Sequence, residues 1–183
     1  MKLMIASDIH GSAVRCAEML ERFEAEMADR LLLLGDLLYH GARNDLPEGY
    51  DAWKAAALLN AYASKIIAVR GNCDSEETQT MLEFPCTADY TYIPFAGGTV
   101  FAAHGDVWGP DRLPPSGSFD LLLFGHIHVP VFEQIGDHVF IANPGSVAIP
   151  KAGSRMSYMT LEEDGKLVWK TLDGNTYREG ILI

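Results

Sequence analysis

Acidic, amide and imidazole side chains follow several short apolar runs in this sequence of 183 residues. They usually stand next to glycine, as Asp36 does after Gly35 and His126 does after Gly125. Carboxylate and amide oxygens and imidazole nitrogens are ligands of divalent metal ions. The side chains placed in this way are Asp8, His10, Asp36, Asn72, His104, His126 and His128. The pattern predicts a metal centre built from residues that are far apart along the chain.

The apolar runs that precede these residues have the composition of buried β-strands. They are short, lack polar alternation, and cover residues 2–7, 31–34, 66–69, 99–103 and 121–124. Such runs are typical of strands that are buried on both faces of a sheet. Ligands of layered α/β sheets bind at the carboxyl ends of the strands. We therefore expect the polar side chains to converge at that edge.

Amphipathic stretches between the first three runs predict helices. The first stretch follows Ser12, a suitable N-cap, and its apolar positions recur at three- and four-residue steps: Ala13, Cys16, Leu20, Phe23 and Met27. The second covers residues 51–64 and carries Trp53, Ala57, Leu58 and Tyr62. A short third helix is predicted to follow Ser75, with two glutamates in a first turn where the helix dipole favours acids.

After about residue 88 the sequence changes from strand–helix alternation to successive strands. Turn signals occur at 96–98, 135–137 and 162–166, and the last of these predicts a hairpin. This order is typical of an α/β fold with a mixed sheet. Irregular loops are expected at 40–50 and 105–118, and no linker divides the chain. We therefore expect one domain over residues 1–183.

Charge and composition narrow the class of partner. The chain has 25 acidic and 14 basic side chains, a formal net charge of −11, and no run of Lys or Arg. Proteins that bind long nucleic acid usually carry a basic face, so we expect no such partner. No apolar run approaches the roughly 18 residues of a membrane span. Asp8 follows too soon for a signal peptide, and three cysteines without a CxxC pair favour the reducing cytoplasm.

The number of candidate ligands indicates more than one cation. Seven side chains exceed what one tetrahedral site uses, and no thiolate set for structural zinc is present. A mixture of imidazole, carboxylate and amide oxygen suits Mn²⁺, Fe or catalytic Zn²⁺. Paired metals in hydrolytic sites lie about 3.5–4 Å apart and can share a carboxylate. Their positive charge would allow an acidic protein to hold an anionic phosphate.

The order of these motifs resembles the calcineurin-like metallophosphoesterases. Asp-x-His, Gly-Asp, Gly-Asn, His and Gly-His-x-His follow one another over residues 8–128. The segments GNCD at 71–74 and NPGSV at 143–147 resemble the small bacterial and archaeal phosphodiesterases of that family. The resemblance implies a four-layer αββα sandwich with two mixed β-sheets. It also implies two divalent ions, foremost Mn²⁺ with Zn²⁺, Fe or Ni²⁺ as alternatives.

The resemblance further implies a role for each residue. The first metal would be held by Asp8, His10 and His128, and the second by Asn72, His104 and His126. Asp36 would bridge the two metals, and a hydroxide between them would attack a small phosphodiester. The residues expected to carry catalysis are Asp36, Asn72, Cys73 and Asp74. Contacts with the substrate are expected from Arg43, Asn72 and Ser146.

One position departs from the common pattern of the family. Cys73 stands where many members have a histidine that assists departure of the leaving group. A neutral thiol donates protons poorly at neutral pH compared with imidazolium, and loss of a general acid typically lowers the rate about 10²–10⁴-fold. Cys73 therefore either packs beside the site or has a chemical role.

Several other positions allow two interpretations. Ser146 either contacts phosphate or belongs to an ordinary proline–glycine turn, and Arg43 either contacts phosphate or is solvated. Trp108 either stacks on an aromatic group of the substrate or packs in its loop. For the whole protein, the alternatives to a phosphodiesterase are a phosphomonoesterase, a nuclease and a non-catalytic scaffold of the same fold. Apolar surface strands are compatible with a homodimer or a homotetramer.

Overall fold

The computed structural model describes residues 1–95, 98–115, 119–136 and 138–182. Its first half alternates strands with helices, and its second half contains strands. In chain order the elements are β1 (Leu3–Ala6), α1 (Ala13–Ala25), β2 (Arg30–Leu33), α2 (Ala52–Asn60), a 3-10 turn (Ala63–Lys65), β3 (Ile66–Ala68), α3 (Glu76–Met81), β4 (Tyr90–Phe95), β5 (Gly98–Ala103), β6 (Leu121–Leu123), β7 (Val131–Ile135), β8 (Val139–Asn143), β9 (Ser157–Leu161), β10 (Lys166–Thr171) and β11 (Thr176–Ile181).

The strands form two mixed sheets. The first has the order β11-β10-β9-β1-β2-β3, and the second has the order β4-β5-β6-β8-β7. In the first sheet β1, β2 and β3 are parallel and β9, β10 and β11 are antiparallel additions. In the second sheet β5, β6 and β8 are parallel, while β4 and β7 run antiparallel at its edges. The predicted α/β fold with mixed sheets is confirmed.

The continuous apolar runs form strands because their sheets are covered on both sides. One core cluster lies between the sheets and includes Ile5 and Leu32 from the first sheet and Leu121 from the second. A second cluster lies between the first sheet and the helices and includes Met4 and Leu33. Alternate residues of one strand therefore enter different cores, so none of them faces water. All five strands predicted from these runs are present.

Helix α1 has the predicted cap, and its apolar face ends earlier than predicted. The Oγ of Ser12 accepts a hydrogen bond from the N–H of Arg15 at 3.2 Å. The buried positions are Ala13, Cys16, Met19, Leu20 and Phe23. Met27 lies beyond the helix end, has a φ of 51° and is 86% exposed. Its assignment to the apolar face was wrong, because the chain turns away after Ala25.

Helix α2 packs on the core mainly through residues that were not named from the sequence, although Leu58 and Tyr62 also pack against it. It ends at Asn60, and its buried residues are Ala55, Ala56 and Leu59. The small alanines allow close approach to α1, since the thiol of Cys16 lies 3.9 Å from the carbonyl oxygen of Ala55. Trp53 is 75% exposed on the opposite side. Trp53, one of the four apolar positions named in this stretch, therefore lies outside the packing face.

The third helix and the late hairpins agree with the sequence patterns. Ser75 caps α3 in a reciprocal capping box with Thr78, and residues 162–166 join the antiparallel strands β9 and β10. The turn signals at 96–98 and 135–137 include positions 96, 97 and 137, which lie outside the described residues. Within the described ranges, no helix has the length and apolar character needed to cross a membrane.

The two sheets are covered differently on their outer faces. All three α-helices contribute to the cluster on the first sheet. Aromatic side chains, including Phe101 and Phe124, form a third cluster on the second sheet, and Trp108 packs against it. The guanidinium of Arg112 lies 4.8 Å from the ring centroid of Trp108. The resemblance implied a helical layer on this side as well. Within the described part of the chain, the loop after β5, which carries Trp108, covers the outer face of the second sheet instead of a helix.

An ion-pair cluster around Glu26 connects the end of α1 to the first sheet. Its carboxylate accepts hydrogen bonds from the Nζ of Lys170 at 2.6 Å, the Nζ of Lys2 at 2.8 Å and the hydroxyl of Tyr158 at 2.8 Å. Burial opposes ionisation, but the neighbouring donors outweigh it and lower the pKa of Glu26 to about 2. The ionised carboxylate therefore stabilises the folded chain.

We expect Glu26→Gln to lower the Tm at pH 7, and the difference from wild type to shrink as the pH is lowered. A carboxyl group whose pKa falls from 4.5 to about 2 on folding stabilises the protein above pH 4.5, and this contribution is lost as the pH falls towards 2. Thermal unfolding followed by circular dichroism across this range measures the difference. Glu21→Gln, at an exposed position of α1, is the control with little change. A difference that stays constant with pH would contradict the assignment.

Candidate metal centre

The predicted ligands lie at the carboxyl ends of strands from both sheets. Asp8, Asp36 and Asn72 follow β1, β2 and β3, while His104 and His126 follow β5 and β6. Because β1, β2 and β3 are neighbours and parallel, their carboxyl ends share one edge. The corresponding edge of the second sheet faces it, and the side chains meet there.

One group of donor atoms consists of Asp8, His10 and His128. The Oδ1 of Asp8 lies 3.7 Å from the Nε2 of His10 and 3.3 Å from the Nε2 of His128. The two Nε2 atoms lie 3.3 Å apart. Ligands about 2.0–2.2 Å from one cation are separated from each other by roughly 3–3.5 Å. The three donor atoms have a spacing that suits one shared cation.

A second group consists of Asn72, His104 and His126. The Nε2 of His104 lies 3.1 Å from the Oδ1 of Asn72 and 3.2 Å from the Nδ1 of His126. These separations are again those of atoms around one ion. The structure thus brings together the two groups that the family resemblance implied, although the metal-binding roles stay predictions.

Asp36 lies between the two groups and directs one oxygen towards each. Its Oδ2 is 3.6 Å from the Nε2 of His10, and its Oδ1 is 3.5 Å from the Nε2 of His104. A carboxylate placed in this way can coordinate two cations at once. Gly71 packs directly against Asp36, and a side chain at Gly71 would collide with the backbone nitrogen and Oδ1 of Asp36. Glycine is therefore required beside the shared carboxylate.

Backbone carbonyls orient three of the imidazole rings. The Nδ1–H of His10 donates a hydrogen bond to the carbonyl oxygen of Tyr39 at 2.9 Å. The Nδ1–H of His104 donates to the carbonyl oxygen of Leu34 at 2.7 Å, and that of His128 donates to the carbonyl oxygen of Ile149 at 2.6 Å. In the neutral form of each ring, this arrangement leaves the lone pair of Nε2 directed into the site. Histidines that bind metals are commonly oriented by such a bond on the other ring nitrogen.

One buried oxygen of Asp8 fits a bound cation. Its Oδ2 accepts a hydrogen bond from the backbone N–H of His126 at 3.1 Å, whereas its Oδ1 is buried without a hydrogen bond. A buried charged oxygen that lacks a partner is costly. A divalent ion at the first group would supply that partner. The residues present therefore fit the two metals that the motif order implied.

Electrostatic coupling in the site supports the same arrangement. Burial opposes ionisation of Asp8, but the imidazoles of His10 and His128 outweigh it and hold the pKa of Asp8 well below its ordinary range. Burial opposes protonation of His104, but the carboxylates of Asp36 and Asp8 outweigh it and raise the pKa of His104 to about 9. The carboxylates thus create a strongly negative potential, which attracts cations.

The backbone is strained at most of the predicted ligands. Asp8, His10, Asp36, His126 and His128 have φ values of 58°, 50°, 55°, 67° and 59°. Residues other than glycine rarely adopt this left-handed backbone conformation, and each one that does so raises the free energy of the folded state by about 1–3 kcal/mol. Strained residues of this kind concentrate at functional sites. The sharp turns after the strands aim the side chains into one small volume.

Asp74 holds the loops around Asp36 together. Its buried carboxylate accepts hydrogen bonds from the backbone N–H groups of Asp36 at 2.8 Å, Leu37 at 2.9 Å and Gly71 at 2.9 Å. These bonds join the turn after β2 to the turn after β3. The expected catalytic residue Asp74 therefore has the contacts of a positioning residue.

A cleft of about 990 Å³ opens over the two donor groups. Asp36, Asn72, His126 and His128 contribute to its lining, and so does Arg43, one of the expected substrate contacts. The cleft is large enough for a small organic ligand, since such pockets are typically about 300–1,000 Å³. Arg43 is therefore placed where it can reach an anionic ligand.

Cys73 lines the same cleft with a neutral thiol. Its Sγ lies 3.2 Å from the Nδ2 of Asn72, and its backbone N–H donates to the Oδ1 of Asp36 at 2.8 Å. Burial, together with the charge of Asp36, raises the pKa of Cys73 to about 12. Cys73 thus reaches the site, and its thiol is a weak proton donor.

Ser146 and Trp108 lie away from the cleft. Ser146 is buried, and its hydroxyl donates to the carbonyl oxygen of Asp8 at 2.8 Å and accepts the N–H of Ile149 at 2.8 Å. The expected phosphate contact of Ser146 does not fit this placement, because its hydroxyl is committed to the loop that carries Asp8. Trp108 packs on the outer face of the second sheet.

The lining of the cleft includes residues that were not predicted from the sequence, among them Tyr39, Tyr50, Trp53 and Lys151. Tyr39 precedes and Tyr50 ends the irregular loop expected at 40–50, which also carries the expected substrate contact Arg43, so their position was a usable signal. Trp53 was named only as an apolar position of an amphipathic helix. Lys151 had no local signal, because it reaches the cleft through the loop between β8 and β9.

The chain is similar in sequence to a known protein family and to a named relative in it. Residues 1–166 match the model of the calcineurin-like phosphoesterase superfamily domain. The chain is 50% identical over 164 residues to phosphodiesterase YfcE of Escherichia coli K12, covering 90% of this chain and 89% of that protein.

Solved structures show the same fold. The structure of the E. coli phosphoesterase YfcE has a TM-score of 0.94 and 46% identity over 100% of both chains. Vps29 of Entamoeba histolytica, solved with zinc, has a TM-score of 0.64 at 18% identity over 100% of both chains, which is a similarity of fold alone.

We expect Asp74→Asn to lower the free energy of unfolding by about 1–3 kcal/mol, because an amide leaves buried N–H groups without acceptors. The affinity for Mn²⁺ should fall as well, since the loop that carries Asp36 loses its support. Chemical denaturation and calorimetric titration measure the two effects. Asp89→Asn is the matched control, because Asp89 pairs with Arg70 at the surface and exposed pairs contribute about 0–1 kcal/mol. Equal stability of the two variants would contradict the role of Asp74.

Proposed function

This chain belongs to the calcineurin-like phosphoesterase superfamily and is a phosphoesterase, and we propose that it hydrolyses small phosphodiesters in the cleft described above. The resemblance inferred from the motif order is confirmed by the family match. The observation that carries the proposal is the position of Asp36, which faces His10 with one oxygen and His104 with the other. Two groups of donor atoms that share one carboxylate are the arrangement of a two-metal hydrolase.

Members of this family use divalent metals, and we propose two of them here. Asp8, His10 and His128 would hold one ion, and Asn72, His104 and His126 the other, with Asp36 shared. The mixture of imidazole, carboxylate and amide donors favours Mn²⁺, with Zn²⁺, Fe or Ni²⁺ as alternatives. When bound, the two cations supply a hydroxide nucleophile near neutral pH and neutralise charge on the phosphoryl oxygens.

In the proposed reaction, the chain holds the phosphodiester in line with the nucleophile. Hydrolysis would form a bond between phosphorus and an oxygen derived from water, and would break the bond between phosphorus and the leaving alcohol's oxygen. Arg43, on the cleft wall, can pair with a phosphoryl oxygen through its guanidinium. The leaving oxygen would take its proton from water, because a thiol is a poor proton donor at neutral pH compared with imidazolium. The products are an alcohol and a phosphomonoester.

The cleft favours a diester over the alternatives. A volume of about 990 Å³ beside the donor groups can accommodate a second ester group, which a phosphomonoesterase does not need. The complete set of seven ligands favours an enzyme over a scaffold. The net charge of −11 favours a small substrate over long nucleic acid.

We also propose a single catalytic domain in the reducing cytoplasm. The YfcE structure matches this chain over its whole length, which supports one domain. Cys16, Cys73 and Cys86 are all free thiols, as is usual for proteins in a reducing compartment. A homodimer or homotetramer is the proposed assembly, and light scattering of the purified protein measures it.

Hydrolysis of two chromogenic esters tests the proposed function. Purified protein with Mn²⁺ should release p-nitrophenol from bis(p-nitrophenyl) phosphate faster than from p-nitrophenyl phosphate. Faster release from the monoester would favour the phosphomonoesterase. Absence of release from both, in protein shown to contain metal, would favour the scaffold.

Asp36→Asn should reduce both metal content and turnover, because an amide has no negative charge to share between two cations. We expect each loss to exceed the roughly 10- to 100-fold typical of removing an outer partner of a metal ligand. Elemental analysis and kcat with bis(p-nitrophenyl) phosphate measure the two losses. Asp111→Asn, at an exposed position outside the cleft lining, is the control. Wild-type metal content and turnover in Asp36→Asn would refute the shared carboxylate.

Cys73→His should accelerate hydrolysis of diesters with poor leaving groups at least about 10-fold more than those with good ones. The imidazole adds a general acid, which matters most when the leaving oxygen is strongly basic. A series of diesters whose leaving phenols differ in acidity measures the effect through the slope of log kcat against phenol pKa. Cys73→Ala adds no donor and should leave the slope unchanged. A parallel shift of all rates in Cys73→His would exclude a general-acid effect at this position.

A further inference from the structure

Three exposed aromatic side chains line the cleft and are called its aromatic wall below. This aromatic wall consists of Tyr39, Tyr50 and Trp53, which are 44%, 37% and 75% exposed. Large aromatic side chains dominate ligand interfaces when they are concentrated in a concave site. Exposure of three of them in one cleft leaves a large apolar area in water, and this area would be covered by a bound ring.

The wall is attached to the turn that carries His10. The carbonyl oxygen of Tyr39 accepts the Nδ1–H of His10 at 2.9 Å. The ring of His40 lies between the two tyrosines, with centroid distances of 4.8 Å to Tyr39 and 5.4 Å to Tyr50. The ring of Tyr50 also packs so closely on Gly11 that no side chain would fit there. The tyrosines are therefore fixed relative to the donor atoms.

Trp53 is fixed to the same turn through the start of α2. The backbone N–H of Asp51 donates to the carbonyl oxygen of Gly11 at 2.9 Å. The side chain of Asp51 then caps α2 by accepting the N–H of Lys54 at 2.9 Å. Trp53 lies in the first turn of this capped helix, and its exposed ring faces no core cluster of the described residues. The backbone that carries Trp53 is therefore held in place beside the cleft, and its exposed ring offers a stacking surface.

Charges in the cleft indicate where the phosphate and the ring would lie. The carboxylates of Asp36, Asp74 and Glu77 line the cleft together with the cations of Arg43 and Lys151. An anionic phosphate is attracted to the metal sites and the two cations. The aromatic wall carries no formal charge, so it suits the uncharged part of an ester.

We propose that the aromatic wall binds a flat ring on one ester group of the substrate, so that the preferred phosphodiesters carry an aryl group or a nucleobase. This inference rests on the proposed function and names the substrate class of the same cleft. Stacking of a base on an aromatic side chain strengthens binding by a factor of about 5–150. Trp53 is the specificity-determining residue, because it is the largest and most exposed ring of the wall.

Binding of phosphonates tests the proposal without catalysis, because their carbon–phosphorus bond resists hydrolysis. Calorimetric titration of the Mn²⁺-loaded full chain compares methylphosphonate, phenylphosphonate and a 5′-phosphonate analogue of thymidine monophosphate. We expect phenylphosphonate to bind at least about 10-fold more tightly than methylphosphonate. The thymidine analogue distinguishes the two sources of a ring: tighter binding than phenylphosphonate indicates a nucleoside, and equal or weaker binding indicates an aryl ester.

Variants locate the ring-binding surface. Trp53→Ala should reduce the ratio of phenyl to methyl affinity to less than about twofold, and Trp53→Phe should retain most of it because a ring remains. Tyr92→Ala is the matched control, since Tyr92 is 47% exposed on β4 and does not line the cleft. This control should keep the wild-type ratio. Equal affinities for the two phosphonates in the wild type, or an unchanged ratio in Trp53→Ala, would overturn the proposal.

The proposed function can fail separately from this inference. If phosphonates bind with the expected ring preference and bis(p-nitrophenyl) phosphate is not hydrolysed, the aromatic wall is supported and the diesterase activity is refuted. If the diester is hydrolysed and the phosphonates show no ring preference, the activity stands and the aromatic wall is refuted.

Discussion

Two buried carboxylates that share one small volume constrain the whole site. Asp8 and Asp36 are almost completely inaccessible to solvent, and the charge of Asp8 opposes ionisation of Asp36. Two anions in such a position require compensating positive charge and hydrogen-bond donors. The surrounding imidazoles and the backbone N–H groups of His126 and Cys73 supply part of it. The two proposed cations would complete the compensation, and the same cations would give the site an affinity for phosphate.

The fold could be predicted from sequence wherever burial alone determines the pattern. Strands between two cores must be apolar at every position, and this makes them recognisable as continuous apolar runs. All five strands predicted in this way are present. The helix faces were less predictable, because helical periodicity does not show which side meets the core. In α2 the alanines pack closely against α1 and leave Trp53 exposed. Tertiary packing also ends α1 before Met27, although the apolar spacing continues to that residue.

The candidate site was predictable in its side chains and less so in its supports. The seven predicted ligands meet because parallel strands end at one edge of a sheet. They could be found in the sequence because polar side chains follow directly after the apolar run that forms each strand. The carbonyl groups of Leu34, Tyr39 and Ile149 orient the imidazoles, and a backbone carbonyl has no sequence signature. Trp53 and Trp108 illustrate the same limit, because only the fold shows that one lines the cleft and the other packs on the opposite sheet.

The left-handed conformations at five of the predicted ligands have a consequence for how metal binding and folding are coupled. If the proposed cations bind there, part of the free energy of coordination would hold these turns in place, and removal of the metals by a chelator would release backbone strain. The strands beneath are held by two hydrophobic cores and would persist. Amide hydrogen exchange should therefore quicken at the rim of the sheets after metal removal while the sheet interior stays protected.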